Sequence, residues 1–232
     1  MDRVSIILPT YNEKGNILAL ITRIFAVLSQ ANILFEIVVI DDNSPDGTGQ
    51  LAENFAKTHK EVHVYIRTKD RGLGNSILLG VQKTTGSIIV GMDADFNHDP
   101  TAIPTLVRNL DTAQLVVGSR FVKGGGMEEW YRLVPTFLFN IILKCIGFPV
   151  MDNMSGFYAI RRRDLLMLNP DAIYYGYGDY HMRLVYYAKR LGYCIQEVPV
   201  YYKKRLSGKS KSNLLKMTKD YVFEAIRLTT QS

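Results

Sequence analysis

Two aspartates one residue apart, Asp93 and Asp95, directly follow the apolar run Ser87–Met92. At the end of an internal strand, such a pair holds two like charges close together, which is costly unless a cation neutralises them. Carboxylates are hard ligands that suit Mg²⁺ or Mn²⁺, ions that commonly bridge a few protein oxygens to substrate phosphates. Asn97 offers an amide oxygen nearby, so Asp93, Asp95 and Asn97 form the candidate metal set. Two plainer roles compete: a helix N-cap at Asp95 or Asp99 before Pro100, or one carboxyl of raised pKa.

Other apolar runs also end in polar residues. The first ends in Pro9-Thr10-Tyr11-Asn12-Glu13, the second in Asp41-Asp42-Asn43-Ser44-Pro45-Asp46-Gly47, and another in Gly118-Ser119-Arg120. In an open α/β sheet, ligands bind beyond the carboxyl ends of the strands. Tyr11 can stack on a base, and Glu13 and Asp42 can accept hydrogen bonds from a base or ribose. The Asp42–Gly47 stretch taken alone reads equally as a helix-capping turn. The loop after the first run is not GxGxxG, which counts against an NAD or FAD enzyme.

The elements that must position these residues follow from the apolar pattern. Strand candidates are Val4–Leu8, Glu36–Ile40, Val62–Ile66, Ser87–Met92 and Leu115–Gly118, all rich in Val and Ile without polar alternation. Such runs fit strands covered on both faces. Helical candidates Ile17–Gln30, Thr48–Thr58, Leu73–Lys83 and Ala102–Asn109 alternate with them. That order predicts an α/β fold with a doubly wound, mostly parallel twisted sheet and helices on both faces. Later come helices at Asp179–Leu191, capped by Gly192, and at Lys211–Arg227, with a strand at Glu197–Tyr202. Three glycines within Val122–Met127 suggest a mobile loop.

Trp130–Ile146 is apolar and about 17 residues long, short for a span but suited to lie at a membrane interface; a buried core helix is the competing reading. The 232 residues carry 47% hydrophobic and 22% charged residues, an ordinary globular balance. The formal net charge of +6 suits an anionic partner without choosing one. A nucleic-acid module is disfavoured because it needs no paired aspartates at a strand end. Two lone thiols, Cys145 and Cys194, and an N-terminus that runs straight into a strand fit a reducing compartment, so a cytoplasmic protein is expected.

The stretches VSIILPTYNE (4–13), VVIDDNSPDGT (38–48), RGLGNSILLG (71–80), GMDADFNHDP (91–100), VVGSRF (116–121) and EVPVYYKKRLSGKSK (197–211) resemble, in order and spacing, the inverting family-2 glycosyltransferases of GT-A fold. Within these the chain is most similar to dolichol-phosphate mannose synthases and other polyprenyl-phosphate hexose synthases. The resemblance implies one GT-A domain over residues 1–232. Its first half, 1–121, would bind nucleotide and its second, 122–232, the acceptor, with 130–146 an interfacial helix. It implies a GDP- or UDP-hexose donor, a polyprenyl-phosphate acceptor, peripheral contact at the cytoplasmic face of a membrane, and no nucleic acid. Donor contacts would fall to Pro9, Tyr11, Glu13, Ile40, Asp42, Asp93, Ala94, Asp95, Arg205 and Lys211, the last two in a closing loop with Ser207–Ser210. The catalytic set would be Asp95, Arg120, Arg132 and Arg205, with Arg120 and Arg132 meeting the acceptor phosphate. Ser155-Gly156-Phe157 would match the acceptor-loop motif.

The chain departs from that family pattern on the acceptor side. Asp152-Asn153-Met154-Ser155-Gly156-Phe157-Tyr158 lacks a Thr and an Arg, Arg132 is followed by Leu133, and Arg183 stands where a Glu is usual. Tyr174, Tyr175, Tyr177, Tyr180 and His181 crowd this region and suit either sugar stacking or core packing. The alternative acceptor is a hydroxyl, as in polysaccharide or glycolipid synthesis. It requires a carboxylate base, for which Asp152 and Asp179 are the candidates.

Overall fold

The computed structural model describes residues 2–205 and 214–230. Nine strands and nine α-helices are described: β1 (Arg3–Thr10), α1 (Ile17–Gln30), β2 (Leu34–Asp41), α2 (Thr48–Ala56), β3 (Val62–Ile66), α3 (Leu73–Lys83), β4 (Ile88–Gly91), α4 (Ile103–Asn109), β5 (Leu115–Ser119), β6 (Gly126–Met127), α5 (Trp130–Cys145), β7 (Tyr158–Arg161), α6 (Arg162–Met167), α7 (Pro170–Ile173), α8 (Tyr180–Arg190), β8 (Ile195–Pro199), β9 (Tyr201–Tyr202) and α9 (Leu214–Thr230).

Seven strands form one sheet in the order β3-β2-β1-β4-β7-β5-β8. Every pairing is parallel except those of β7, which runs antiparallel to both β4 and β5. The expected mostly parallel sheet is therefore present. The central antiparallel strand was not foreseen, because Tyr158–Arg161 is too short for a periodic signal.

Burial explains the apolar runs. Val4, Ile6, Ile7 and Leu8 of β1 are buried on both faces of the sheet. One core packs β1, β2 and β4 against α1, whose Ile17, Leu20, Ile21, Ile24 and Leu28 recur at helical spacing. The other face carries α3 and α8. Gly80 lets α3 approach β1 closely: a Cβ there would stand 2.5 Å from Ile7 Cγ2.

Two expectations are corrected. Glu197–Tyr202 is not one strand. The chain breaks at Val200, so β8 joins the large sheet and β9 pairs with β6 in a separate two-stranded ribbon. The glycines of 122–127 are not a free loop either. Gly125 N–H donates to Val122 O, Gly126 N–H donates to Val200 O, and β6 is zipped to β9.

Helix α5 buries only Asn140 and Leu143. Trp130 is 71% exposed, and Tyr131, Val134, Leu138 and Ile142 are also exposed, which removes the core-helix reading. Among the described residues no helix is long and apolar enough to cross a membrane.

Candidate active site

The carboxyl ends of β1, β2 and β4, the start of α3 and the first turns of α5 open onto one cleft of about 1370 Å³. Asp93, Ala94, Asp95 and Asn97 line it. Phe96 turns the chain after the aspartates with φ 69°, a left-handed conformation that costs a non-glycine residue roughly 1–2 kcal/mol. The turn brings Asn97 N–H to Asp95 Oδ1 at 3.0 Å and Asn97 Nδ2 to Oδ2 at 3.2 Å. The cap falls to Asp99, whose carboxylate accepts from Thr101 N–H at 3.0 Å, and not to Asp95.

A buried floor fixes this loop. His98 Nδ1 accepts the Asp93 N–H at 2.9 Å. Its Nε2 therefore carries the hydrogen, facing Tyr202 Oη at 2.8 Å and Ser155 O at 3.2 Å. Burial lowers the His98 pKa to about 4, so the ring is neutral near pH 7. Phe157 stacks on it with ring centroids 4.8 Å apart. Gly156 has φ 75°, and a Cβ there would stand 3.0 Å from Tyr180 Oη. The Ser155-Gly156-Phe157 motif thus supports the aspartates from below as well as lining the cleft with Ser155 and Gly156.

The electrostatics favour a cation. Burial, opposed by Arg205, lifts the Asp93 carboxyl to about 6, although its side chain remains 39% exposed at the cleft mouth. Asp95 is also raised, first by burial and then by Asp93. Arg205 answers this charge: Nη2 lies 2.7 Å from Asp95 Oδ2 and Nη1 3.8 Å from Glu13 Oε1. Among the described residues no group of three or more His, Cys, Asp and Glu side chains is arranged to hold a metal alone. Two hard carboxylates that already draw in a guanidinium fit a divalent ion whose remaining ligands come from phosphate, not a full protein cage.

On the donor side Pro9, Tyr11, Glu13 and Asp42 line the cleft. Ile40 does not: it is fully buried in β2. Asp41 and Asp46 serve their own turn, accepting from Ser44 and Thr48. Asp42 is heavily engaged, with Gly72 N–H donating to Oδ2 at 2.7 Å, Ser76 Oγ donating to Oδ1 at 2.9 Å and Arg67 Nη1 3.2 Å away. It fixes the start of α3 more than it waits for a base. Arg71 and Ser76 were given no role from sequence, yet both line the cleft, and the Arg71 guanidinium lies 4.9 Å from the Tyr11 ring centroid. The glycine pair beside Arg71 was the available signal.

On the acceptor side Arg120 and Arg132 both line the cleft. Arg120 is committed elsewhere along one edge: Nε donates to Asp152 Oδ2 at 2.8 Å and Nη2 to Oδ1 at 2.7 Å. Burial works against both charges, but their attraction overrides it, holding Asp152 below the usual carboxylate range. Arg132 Nη1 donates to Glu129 Oε2 at 2.7 Å in a half-exposed pair. Tyr177 and Tyr180 line the cleft, whereas Tyr174 and His181 are buried core residues. Tyr202 and Tyr221 join the lining unforeseen. Lys211 and the Ser207–Ser210 loop lie outside the described residues.

With this geometry in place, comparison with known proteins is informative. The model "Glycosyl transferase family 2" matches residues 5–167. A dolichol-phosphate mannosyltransferase of Pyrococcus furiosus is 38% identical over 72% of this chain and 49% of its own length. An undecaprenyl-phosphate mannosyltransferase of Micrococcus luteus is 35% identical over 90% of this chain and 87% of its own. A polyprenol monophosphomannose synthase of Mycolicibacterium smegmatis is 35% identical over 90% of this chain and 81% of its own. The chain therefore spans about half the length of the first relative and most of the other two. Among solved structures, glucosyl-3-phosphoglycerate synthase of Mycobacterium tuberculosis, in complex with Mn²⁺, UDP and phosphoglyceric acid, superposes with a TM-score of 0.73 at 21% identity, covering 98% of this chain and 78% of that one. That likeness bears out the GT-A fold, and the sequence matches place the chain in glycosyl transferase family 2.

Proposed function

We propose that this chain transfers a hexose, mannose in the first instance, from a nucleoside-diphosphate sugar to a polyprenyl phosphate with inversion at the anomeric carbon. The names of the sequence relatives support the acceptor class, and Tyr11 on the cleft wall suits the base of a GDP- or UDP-type donor. The observation that carries the reading is the state of the acceptor-side carboxylates. Asp152 is clasped by Arg120, and Asp179 accepts from Arg183 and from Tyr177 N–H. A hydroxyl acceptor needs a free base, and both candidates are engaged. A phosphate acceptor is already an anion and needs none.

Asp93, Asp95 and, through its amide, Asn97 would hold a divalent ion, with Mg²⁺ and Mn²⁺ both suitable. Bound there, such an ion would supply positive charge for the departing diphosphate. Arg205 can swing from Asp95 to the same diphosphate, and Arg132 can turn to the acceptor phosphate. An acceptor oxygen forms the new bond to the anomeric carbon as the bond to the diphosphate breaks, giving a β-linked product from an α-linked donor. Residues 1–121 supply the donor contacts other than Arg205, and 122–232 supply most of the acceptor contacts. The exposed apolar face of α5, with Trp130 and Tyr131 at one end, rests on the cytoplasmic face of the membrane that holds the acceptor.

The test is a transfer assay that pairs GDP-mannose and UDP-glucose with a polyprenyl phosphate and a polyprenol, in Mn²⁺ and in EDTA. Metal-dependent transfer to the phosphate alone, with inverted configuration, is expected. Transfer to polyprenol, or retained configuration, would overturn the reading. Liposome flotation tests the membrane contact separately.

A further inference from the structure

We infer that Arg183 is a positioning residue for this reaction, locking the cleft wall at residues 174–179 against α9. The inference rests on the acceptor-side reading above. Arg183 is fully buried.

One guanidinium ties three pieces of chain together. Nη1 donates to Asp179 Oδ2, at the foot of α8, and lies 3.3 Å from Glu224 Oε1 on α9. Nε donates to Ile173 O at 2.7 Å, and Nη2 donates to Tyr175 O. The guanidinium also stacks 3.6 Å from the Tyr175 ring centroid. Glu224 is shared with Arg227, which donates to Tyr175 Oη at 2.6 Å. Burial alone would raise the Glu224 pKa; the two arginines hold it below its ordinary value, so the acid stays charged.

A buried charge network is an expensive way to fill a helix junction, since apolar side chains would pack there without the desolvation cost. What it adds is direction. The segment it grips presents Tyr177 and Gly178 to the cleft, and α9 presents Tyr221 beside them. On its other side the segment is braced against the donor half: Gly74 N–H donates to Gly176 O at 3.1 Å, and a Cβ on Gly74 would stand 2.5 Å from Tyr175 C. The donor side therefore leaves no slack. Arg183 closes the opposite side and sets the width of the acceptor half of the cleft.

The test uses Arg183→Lys and Glu224→Gln, the second keeping shape and an acceptor should the first fold poorly. Amide exchange at residues 174–178 should quicken about tenfold in both, while exchange in β1 and β4 stays at wild-type rates. The Kd for GDP with Mn²⁺ should stay within about threefold, and the KM for polyprenyl phosphate should rise on the order of tenfold with kcat nearly unchanged. Wild-type exchange and KM in both variants would overturn the inference. So would a loss spread evenly over sheet exchange and nucleotide binding, which marks general destabilisation. Should the wild type transfer nothing to polyprenyl phosphate, the functional reading fails, and exchange at 174–178 alone decides whether Arg183 positions the wall.

Discussion

Replacing Arg205 should strengthen the binding of Mn²⁺ alone while weakening the binding of nucleotide. Arg205 sits 2.7 Å from Asp95 Oδ2 and 3.8 Å from Glu13 Oε1, so a metal ion must displace it or share its field. Two unit charges about 4 Å apart attract by roughly 4 kcal/mol at an effective dielectric constant near 20. Ordering the long arginine side chain returns roughly 2 kcal/mol of that. The net contact to be displaced is then about 2 kcal/mol, or roughly a 30-fold change in Kd. Arg205→Met keeps the stem and removes the charge. Calorimetric titration should show Mn²⁺ binding the variant roughly 30-fold more tightly than wild type when no nucleotide is present. With Mn²⁺ saturating, nucleoside diphosphate should bind less tightly, because its diphosphate has lost a charge-assisted partner. Weaker Mn²⁺ binding to Arg205→Met, with the fold intact, would refute the idea that this arginine stands in for a cation.

Three further outcomes are expected. The Asp93 pKa, raised to about 6 in the fold, means the folded protein holds a proton that the unfolded chain releases near 3.8; stability of the metal-free protein should fall as pH rises through that window, and Mn²⁺ affinity should fall about tenfold per pH unit below about 6, both read by thermal shift. Gly80→Ala gains up to about 1 kcal/mol of helix propensity but drives a methyl to 2.5 Å from Ile7 Cγ2; overpacking costs about 1–3 kcal/mol, so a net loss is expected in urea unfolding. Asp152→Asn should cost about 3–5 kcal/mol by stranding the buried Arg120, whereas Arg132→Ala should leave stability within about 1 kcal/mol and raise the acceptor KM.

The donor half was legible because its signals are local. Val- and Ile-rich runs bounded by turn formers mark strands covered on both faces, and α1 and α3 begin and end where their patterns do. Asp93 and Asp95 are read from their place after such a run. The acceptor half depends on long-range pairing that no local pattern carries. Tyr158–Arg161 becomes a central strand only because β4 and β5 leave a gap of one strand between them. Tyr201–Tyr202 leaves the large sheet because β6 offers a partner. Asp42 reads as a free acceptor until the chain brings Arg67, Gly72 and Ser76 to it from the next βα unit. Ile40, carried over by resemblance, points into the core because β2 is covered on both faces.

The two halves of the cleft manage charge in opposite ways, and this bears on the chemistry each can accept. Around Asp93 and Asp95 three acids, Glu13 included, meet the guanidinium of Arg205 at close range and Arg120 only as a weaker influence on Asp93, so among the described residues the donor side has a surplus of negative charge. Only a cation relieves it without a large pKa shift. On the acceptor side charges are matched one to one, Arg120 with Asp152 and Arg132 with Glu129. At these two pairs an incoming anion must take the arginine from its existing partner. The pair it can break is the exposed one, since Arg132 is 38% exposed and its ion pair is worth about 1 kcal/mol at most. Arg120 is 7% exposed, and freeing it would leave Asp152 buried and uncompensated. In the proposed reaction Arg132 at the head of α5 would be the arginine to meet an acceptor phosphate, with Arg120 holding the wall against which it turns. The same helix presents its apolar face outward, so the group that would bind the phosphate and the surface that would meet a prenyl chain belong to one rigid element.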